Sequence, residues 1–167
     1  MTALSYVQET PLFDAVIEEI NAEAFGPGRF ARAAYRIREG GPHERDLSFA
    51  ALSDGAVIAS VRMTRVKIGA ADALLLGPLA VTPAWKNQGI GRHILKMSVE
   101  AARAKGHALV VLVGDEPYYG PLGFQRVPEG QMRFPAPVDQ KRILANELKE
   151  GALAEAIGEV RHAGLTD

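Results

Sequence analysis

Two glycines and the residues around them carry the first chemical signal in the chain. In Lys86-Asn87-Gln88-Gly89-Ile90-Gly91-Arg92, the glycines open a segment whose apolar residues Ile90, Ile94, Met97 and Ala101 recur at the spacing of one helical face. The first amides of a helix lack intrahelical acceptors, and the helix dipole is positive at that end. The N–H groups of Gln88, Gly89, Ile90, Gly91 and Arg92 therefore converge on a place suited to a diphosphate. Lys86, Asn87, Gln88 and Arg92 add side-chain donors, with Arg92 the best placed for charge-assisted bonds.

Other phosphate-binding patterns fit less well. A dinucleotide fold needs G-x-G-x-x-G directly after a strand, but Ile94 stands at the third glycine position and Thr82 to Gln88 intervene. No glycine precedes a Lys-Ser or Lys-Thr pair at the spacing of a Walker loop. A G-x-S-x-G elbow and an H-E-x-x-H pattern are both absent, and His43, His93, His107 and His162 are scattered without ligand spacing. No metal is expected.

The elements that must hold the glycine pair start with Leu74 to Val81, LLLGPLAV, an apolar run too continuous for a surface strand and too short for a membrane span. Pro78 cannot donate to a ladder, so it predicts a bulge or a splayed edge that leaves backbone groups free. Upstream, residues 3–8 predict a strand, and Thr10-Pro11 starts a helix with Leu12, Val16, Ile17, Ile20 and Ala24 on one face. Phe25-Gly26-Pro27-Gly28 ends it. A second helix is expected over about 29–39, carrying Arg29, Arg32, Arg36 and Arg38 opposite Asp14, Glu18, Glu19 and Glu23 of the first. The two read as solvated faces that attract each other, or as helices whose turn overhangs a substrate mouth.

A hairpin over 47–52 and 56–66 turns at Ser53-Asp54-Gly55, and 67–72 leads into the central strand. The glycine-opened helix runs to Lys105 and stops at Gly106. A Leu/Val strand over 107–113 is expected to lie parallel to its predecessor. Short strands follow over 124–127, 131–134 and 143–148, then a short helix over 151–157. The order gives an α+β fold: a mixed, mostly antiparallel sheet with one parallel βαβ step and helices on both faces.

About thirty residues after the glycine pair comes Tyr119-Gly120-Pro121-Leu122-Gly123-Phe124, a tyrosine four residues before a Gly-Phe pair. The ordered pair of motifs resembles the acyl-CoA core of the GNAT superfamily of N-acyltransferases, over about residues 74–126. That family's signature begins with Gln or Arg; Lys86 stands there, keeping the cation but losing the forked donor. The resemblance implies splayed central strands with the pantetheine arm of acetyl-CoA between them, bonded by the backbone of Leu79, Ala80 and Val81. It implies that Tyr119 protonates the departing thiolate. A phenol near pKa 10 suits a thiol near pKa 8.5 and stays protonated at neutral pH. Tyr118 is expected to face another direction and is the second candidate for the acid. The general base stays unassigned, since Leu74, Leu75 and Leu76 offer none and Asp115 and Glu116 read better as turn acids.

Size and composition set outer bounds. With 167 residues the chain is expected to form one N-acyltransferase domain. It has no cysteine, so a cysteine-linked acyl-enzyme and a thiolate metal site are excluded. The formal charge of −1, from 19 basic and 20 acidic residues, gives no global field towards nucleic acid or an anionic membrane. Lacking a basic, apolar leader and any long apolar stretch, the chain is expected to be cytoplasmic. The expected partner is a small-molecule or peptide amine, with homodimerisation left open. The expected activity is transfer of an acetyl group from acetyl-CoA to that amine; a non-catalytic acyl-CoA sensor and an interaction subunit are the alternatives.

Overall fold

The computed structural model describes residues 3–165. Along it run β1 (Leu4–Gln8), α1 (Asp14–Phe25), α2 (Ala33–Arg38), β2 (Phe49–Ser53), β3 (Ala56–Ile68), β4 (Ala71–Val81) and α3 (Ile90–Ala104). They are followed by β5 (Leu109–Val113), α4 (Glu116–Tyr119), β6 (Gln125–Arg126), β7 (Met132–Arg133), β8 (Ile143–Glu147), α5 (Ala152–Glu155) and β9 (Gly158–His162).

The sheet order is β1-β2-β3-β4-β5-β8-β6, antiparallel throughout except for β4 beside β5. Leu74 to Leu76 are buried because both faces of β4 are covered. On one face Leu74 and Leu76 share a core with Ile90, Ile94 and Leu95 of α3. On the other, Ala73 and Leu75 pack with Ile37 of α2 and Val111 of β5. Helices thus lie on both faces, and the strand period of two decides which leucine meets which layer.

The central strands pair only at Leu74↔Val110 and Leu75↔Val111. Beyond that point β4 stays on β3 but leaves β5. Val61 pairs with Leu79 and Met63 with Leu76, so the stretch through Gly77 and Pro78 carries one residue more than its partner, the bulge that Pro78 predicted. The Gly77–Pro78 peptide is cis. The β5-facing edge of Leu79, Ala80 and Val81 therefore has no strand beside it.

Several expectations shift. The helix over 29–39 is in fact a 3-10 turn (Pro27–Ala31) and a short α2, separated by an extended Arg32. Its basic residues do not form one solvated face, because Arg38 turns inward. β2 begins at Phe49, after a 3-10 turn at Arg45–Leu47 that Ser48 Oγ locks by donating to the Glu44 carbonyl (2.7 Å) and accepting from Met63 N–H (3.2 Å). The turn into β4 is only Gly69 and Ala70, and β5 starts at Leu109. β9 is an unforeseen strand: it pairs with Val66 to Ile68 of β3, past the end of β2, and forms a second, two-residue parallel pairing with β7. Its His162 lies against Pro42, with Nε2 2.9 Å from the carbonyl oxygen, and fills the space where a side chain on Gly41 would sit.

Candidate functional site

The parting of β4 and β5 opens a cavity of about 940 Å³. One wall is the free edge of Leu79, Ala80 and Val81; the floor towards α3 brings Lys86, Asn87, Gly89, Ile90, Gly91 and Arg92. Gln88 is not part of the lining; its side-chain amide reaches back to the Ala84 carbonyl (3.4 Å) and is exposed. No side chain caps α3. Asn87 (φ 63°) and Gly89 (φ 81°) both adopt the left-handed conformation, which lets the loop turn sharply into the helix. The first helical amides are thus left for an outside acceptor.

The opposite wall comes from α4. Asp115 starts this single turn, and Tyr118 and Tyr119 project from its end with their rings edge to face, 4.7 Å between centroids. Phe124 supports Tyr119 from behind at 5.9 Å. Gly114 is bare of necessity: a Cβ there would run into the Tyr119 ring. Burial pushes the Tyr119 phenol up to about 12, helped by Tyr118 and Asp115 and opposed by Arg142 and Arg38. Tyr118 lines the same cavity rather than facing elsewhere. Its hydroxyl lies 3.1 Å from where a Gly91 Cβ would stand, and the Arg92 guanidinium carbon is 5.4 Å from its ring centroid. Burial raises the Tyr118 phenol too, with Arg92 working the other way. The side of the tyrosine pair that faces α3 was not legible in the sequence, because two consecutive residues at a helix end diverge by an angle only tertiary packing sets.

The mouth is overhung by the α1–α2 turn, from which Ala24, Phe25, Arg29 and Arg32 reach the lining. Arg29 is tied to Glu18 (2.8 Å) and Arg32 lies over the Phe25 ring (5.2 Å). Asp115 is paired with Arg142 at 3.3 Å and Glu116 with Arg126 at 2.8 Å, so both turn acids are engaged. A smaller cavity of about 180 Å³ adjoins, sharing Tyr35, Arg38, Gly77 and Pro78 with the first. Behind it is a buried charge cluster: Glu9, 2% exposed, accepts from Arg62 Nε (3.0 Å), Arg45 Nη1 (3.3 Å) and His43 Nε2. Asp14 accepts from Arg45 (2.8 Å) and Arg62 (2.9 Å). Burial pushes the Glu9 carboxyl up, but the bonds from His43 and Arg62 outweigh it and the net direction is down. Among the described residues, no group of three His, Cys, Asp or Glu is arranged to hold a metal ion.

A split sheet beside a glycine-opened helix end, closed by a half-buried tyrosine, is the arrangement that the two motifs implied. The family profile for the acetyltransferase (GNAT) domain matches residues 44–126. The uncharacterized N-acetyltransferase YjhQ of Escherichia coli K12 is 30% identical over 125 residues, which cover 72% of this chain and 68% of YjhQ. This chain belongs to the GNAT acetyltransferase family. YhbS of the same organism, also an uncharacterized N-acetyltransferase, is 26% identical over 157 residues, 92% of this chain and 93% of YhbS. A crystal structure of YhbS in complex with CoA superposes with a TM-score of 0.78, covering 96% of this chain and 89% of that one. A GNAT acetyltransferase from Brucella melitensis in complex with acetyl-CoA superposes at 0.71, covering 98% and 99%. Both structures are 24% identical to this chain, and they establish that it has the GNAT fold. Within this GNAT domain, the residue that sequence reasoning missed is Arg38, while Tyr118, the second choice to Tyr119, faces the cavity and not another direction.

Proposed function

We propose that this chain transfers an acetyl group from acetyl-CoA to a primary amine by direct attack in a ternary complex, the whole chain acting as one domain. The observation that carries the proposal is the unpaired edge of β4, opening between an uncapped α3 and the half-buried Tyr119. The bare backbone at Gly91 fits the cofactor: a Cβ there would stand 3.1 Å from the Tyr118 hydroxyl and 3.4 Å from Val81, narrowing the passage to the helix amides. In this reading Lys86, Asn87, Gly89, Ile90, Gly91 and Arg92 hold the diphosphate, with Gln88, whose side chain turns away, left out, while Leu79, Ala80 and Val81 bond the pantetheine arm. A backbone N–H of that edge polarises the thioester carbonyl.

Tyr119 gives its proton to the departing thiolate. At about 12 it is fully protonated at neutral pH. Burial in the same cleft disfavours a free thiolate as well as a free phenolate, so the thiol rises alongside the phenol rather than staying at its value in water. Proton and charge then move together, as general acid catalysis requires. A cysteine-linked acyl-enzyme has no nucleophile in this sequence.

Calorimetric titration with acetyl-CoA, with NAD as a control, tests the cofactor; amine-dependent release of CoA thiol tests the reaction. Tyr119→Phe is expected to lower turnover roughly 10- to 1000-fold with little change in acetyl-CoA affinity. Unchanged turnover removes Tyr119 from the mechanism. Acetyl-CoA binding without amine-dependent CoA release turns the reading towards a sensor, and no binding turns it towards an interaction subunit.

A further inference from the structure

Arg38 has no counterpart in the mechanism above. Its Nε is sealed from solvent and has no hydrogen-bond partner among the described residues. Its Nη2 presses on Gly77, where a Cβ would collide with it, so the guanidinium stands at the β4 bulge itself. It lines both cavities at their shared wall. The titratable groups acting on it are Tyr35, Arg32 and Tyr119, none a carboxylate. Burial lowers its pKa to about 10, which leaves it charged at neutral pH. The other arginines lining the cavities have company: Arg29 has Glu18, though its Nε is also unbonded, Arg142 has Asp115, Arg62 has Glu9 and Asp14, Arg32 has the Phe25 ring and Arg92 the Tyr118 ring.

A half-buried guanidinium whose Nε is sealed and unbonded, and whose other face lines two cavities without a paired carboxylate, marks a place where an anion belongs. The phosphates of the cofactor are accounted for at the α3 end, on the far side of the free strand edge. Gly77 and Leu79 are separated by one residue across the bulge, and a Cβ on Gly77 would stand 4.0 Å from Leu79 N, so an anion on Arg38 lies within one small molecule's reach of an amine attacking beside Leu79. The smaller cavity, at about 180 Å³, has room for a group of roughly benzene size, and Glu18 and Glu39 in its lining add to what its occupant must accommodate.

Resting on the acyltransferase reading, we infer that the acceptor is a small amine that itself carries a carboxylate, and that Arg38 binds this carboxylate as a forked pair at the bulge. The planar fork matches a carboxylate in two parallel bonds, which fixes the amine's distance from the thioester as well as its charge class. Arg38 is then a specificity-determining residue.

The test uses the purified full chain and pairs of amines that differ only in the anion: glycine with glycinamide, β-alanine with β-alaninamide, and a set of L-amino acids with their amides. O-Phosphoethanolamine with ethanolamine distinguishes phosphate from carboxylate as the anion. CoA thiol release is read with acetyl-CoA saturating. Expected is a carboxylate member turned over with kcat/KM at least 10-fold above its amide. Arg38→Met should raise KM for that member by about 10- to 100-fold, the loss of a charge-assisted pair, and so erase the preference. The same variant should melt at a higher temperature without ligand, since a half-buried unpaired charge is gone. If Arg38→Met does not fold, Arg38→Lys must show the same rise in KM in weaker form. Turnover confined to amides and other uncharged amines overturns the inference, as does silence across the panel in a protein that binds acetyl-CoA. An equal fall in kcat on both members of a pair also overturns it, since Arg38 would then be acting on the leaving thiolate. Failure to bind acetyl-CoA is a different result, for it removes the acyltransferase reading itself.

Discussion

Gly114 offers a way to disturb the proposed acid without touching its chemistry. It ends β5 directly against the Tyr119 ring, and a Cβ there would overlap Tyr119 Cε2 and stand 3.0 Å from both Tyr119 Cδ2 and Leu112 Cδ1. Leu112 is fully buried and cannot retreat. The tyrosine is held on its other sides by Tyr118 at 4.7 Å and Phe124 at 5.9 Å, so Gly114→Ala must move the ring by a substantial part of an ångström. Overpacking of this kind costs about 1–3 kcal/mol of stability, and a displacement near 1 Å at a reacting group costs up to about 100-fold in rate. Gly114→Ala is therefore expected to lower kcat by about 10- to 100-fold, with acetyl-CoA affinity by calorimetry held within about twofold. The decisive assay is a double-mutant cycle on CoA release. If Gly114→Ala acts through the phenol, adding it to Tyr119→Phe costs little more than Tyr119→Phe alone, because the group to be misplaced is already absent. Fully multiplicative losses, or wild-type turnover in a folded Gly114→Ala protein, would refute the reasoning.

Gly91→Glu should abolish measurable acetyl-CoA binding, since its first carbon already crowds the Tyr118 hydroxyl at 3.1 Å and its charge repels a diphosphate; calorimetry at wild-type affinity would refute the cradle. Glu9→Gln leaves Arg62, Arg45 and His43 without their shared carboxylate in a buried site, and breaking one member of such a cluster costs about 3–5 kcal/mol, read by urea denaturation. The Glu9 and Asp14 carboxyls both lie below their ordinary values when folded. Their contribution to stability is therefore complete above the unfolded carboxylate range, near pH 4 to 4.5, and is lost as pH falls through their lower folded values. The slope of unfolding free energy against pH in acid should shrink in Glu9→Gln, and an unchanged slope would show that the cluster does not set acid stability.

Much of the site was legible because its signals are local. Gly89 permits the left-handed turn into a helix, and the spacing of Ile90 and Ile94 fixes which face of it is buried. Pro78 must break a ladder whichever strand lies beside it, and the bulge falls between Val61 and Met63 on the neighbouring strand. Local chemistry of this kind depends on backbone donors, dihedral limits and side-chain period, all properties of a few consecutive residues. The sequence by itself thus determined the β2–β3 hairpin leading into the central strand, the parallel β4–β5 step and the glycine-opened helix end. The tertiary structure alone decided what no short window contains. β9 is a polar-apolar segment at the end of the chain whose strand state comes from the vacancy that β2 leaves beside Val66 to Ile68. Tyr118 faces α3 because α4 is a single turn, oriented by the Gly114 end of β5 rather than by its own pattern. Arg38 looked like one more cation of an exposed basic helix, yet α2 docks on the sheet so that this one side chain ends at Gly77. Whether a charge meets water or the interior is set by which element packs over it, and that is a property of the assembled fold.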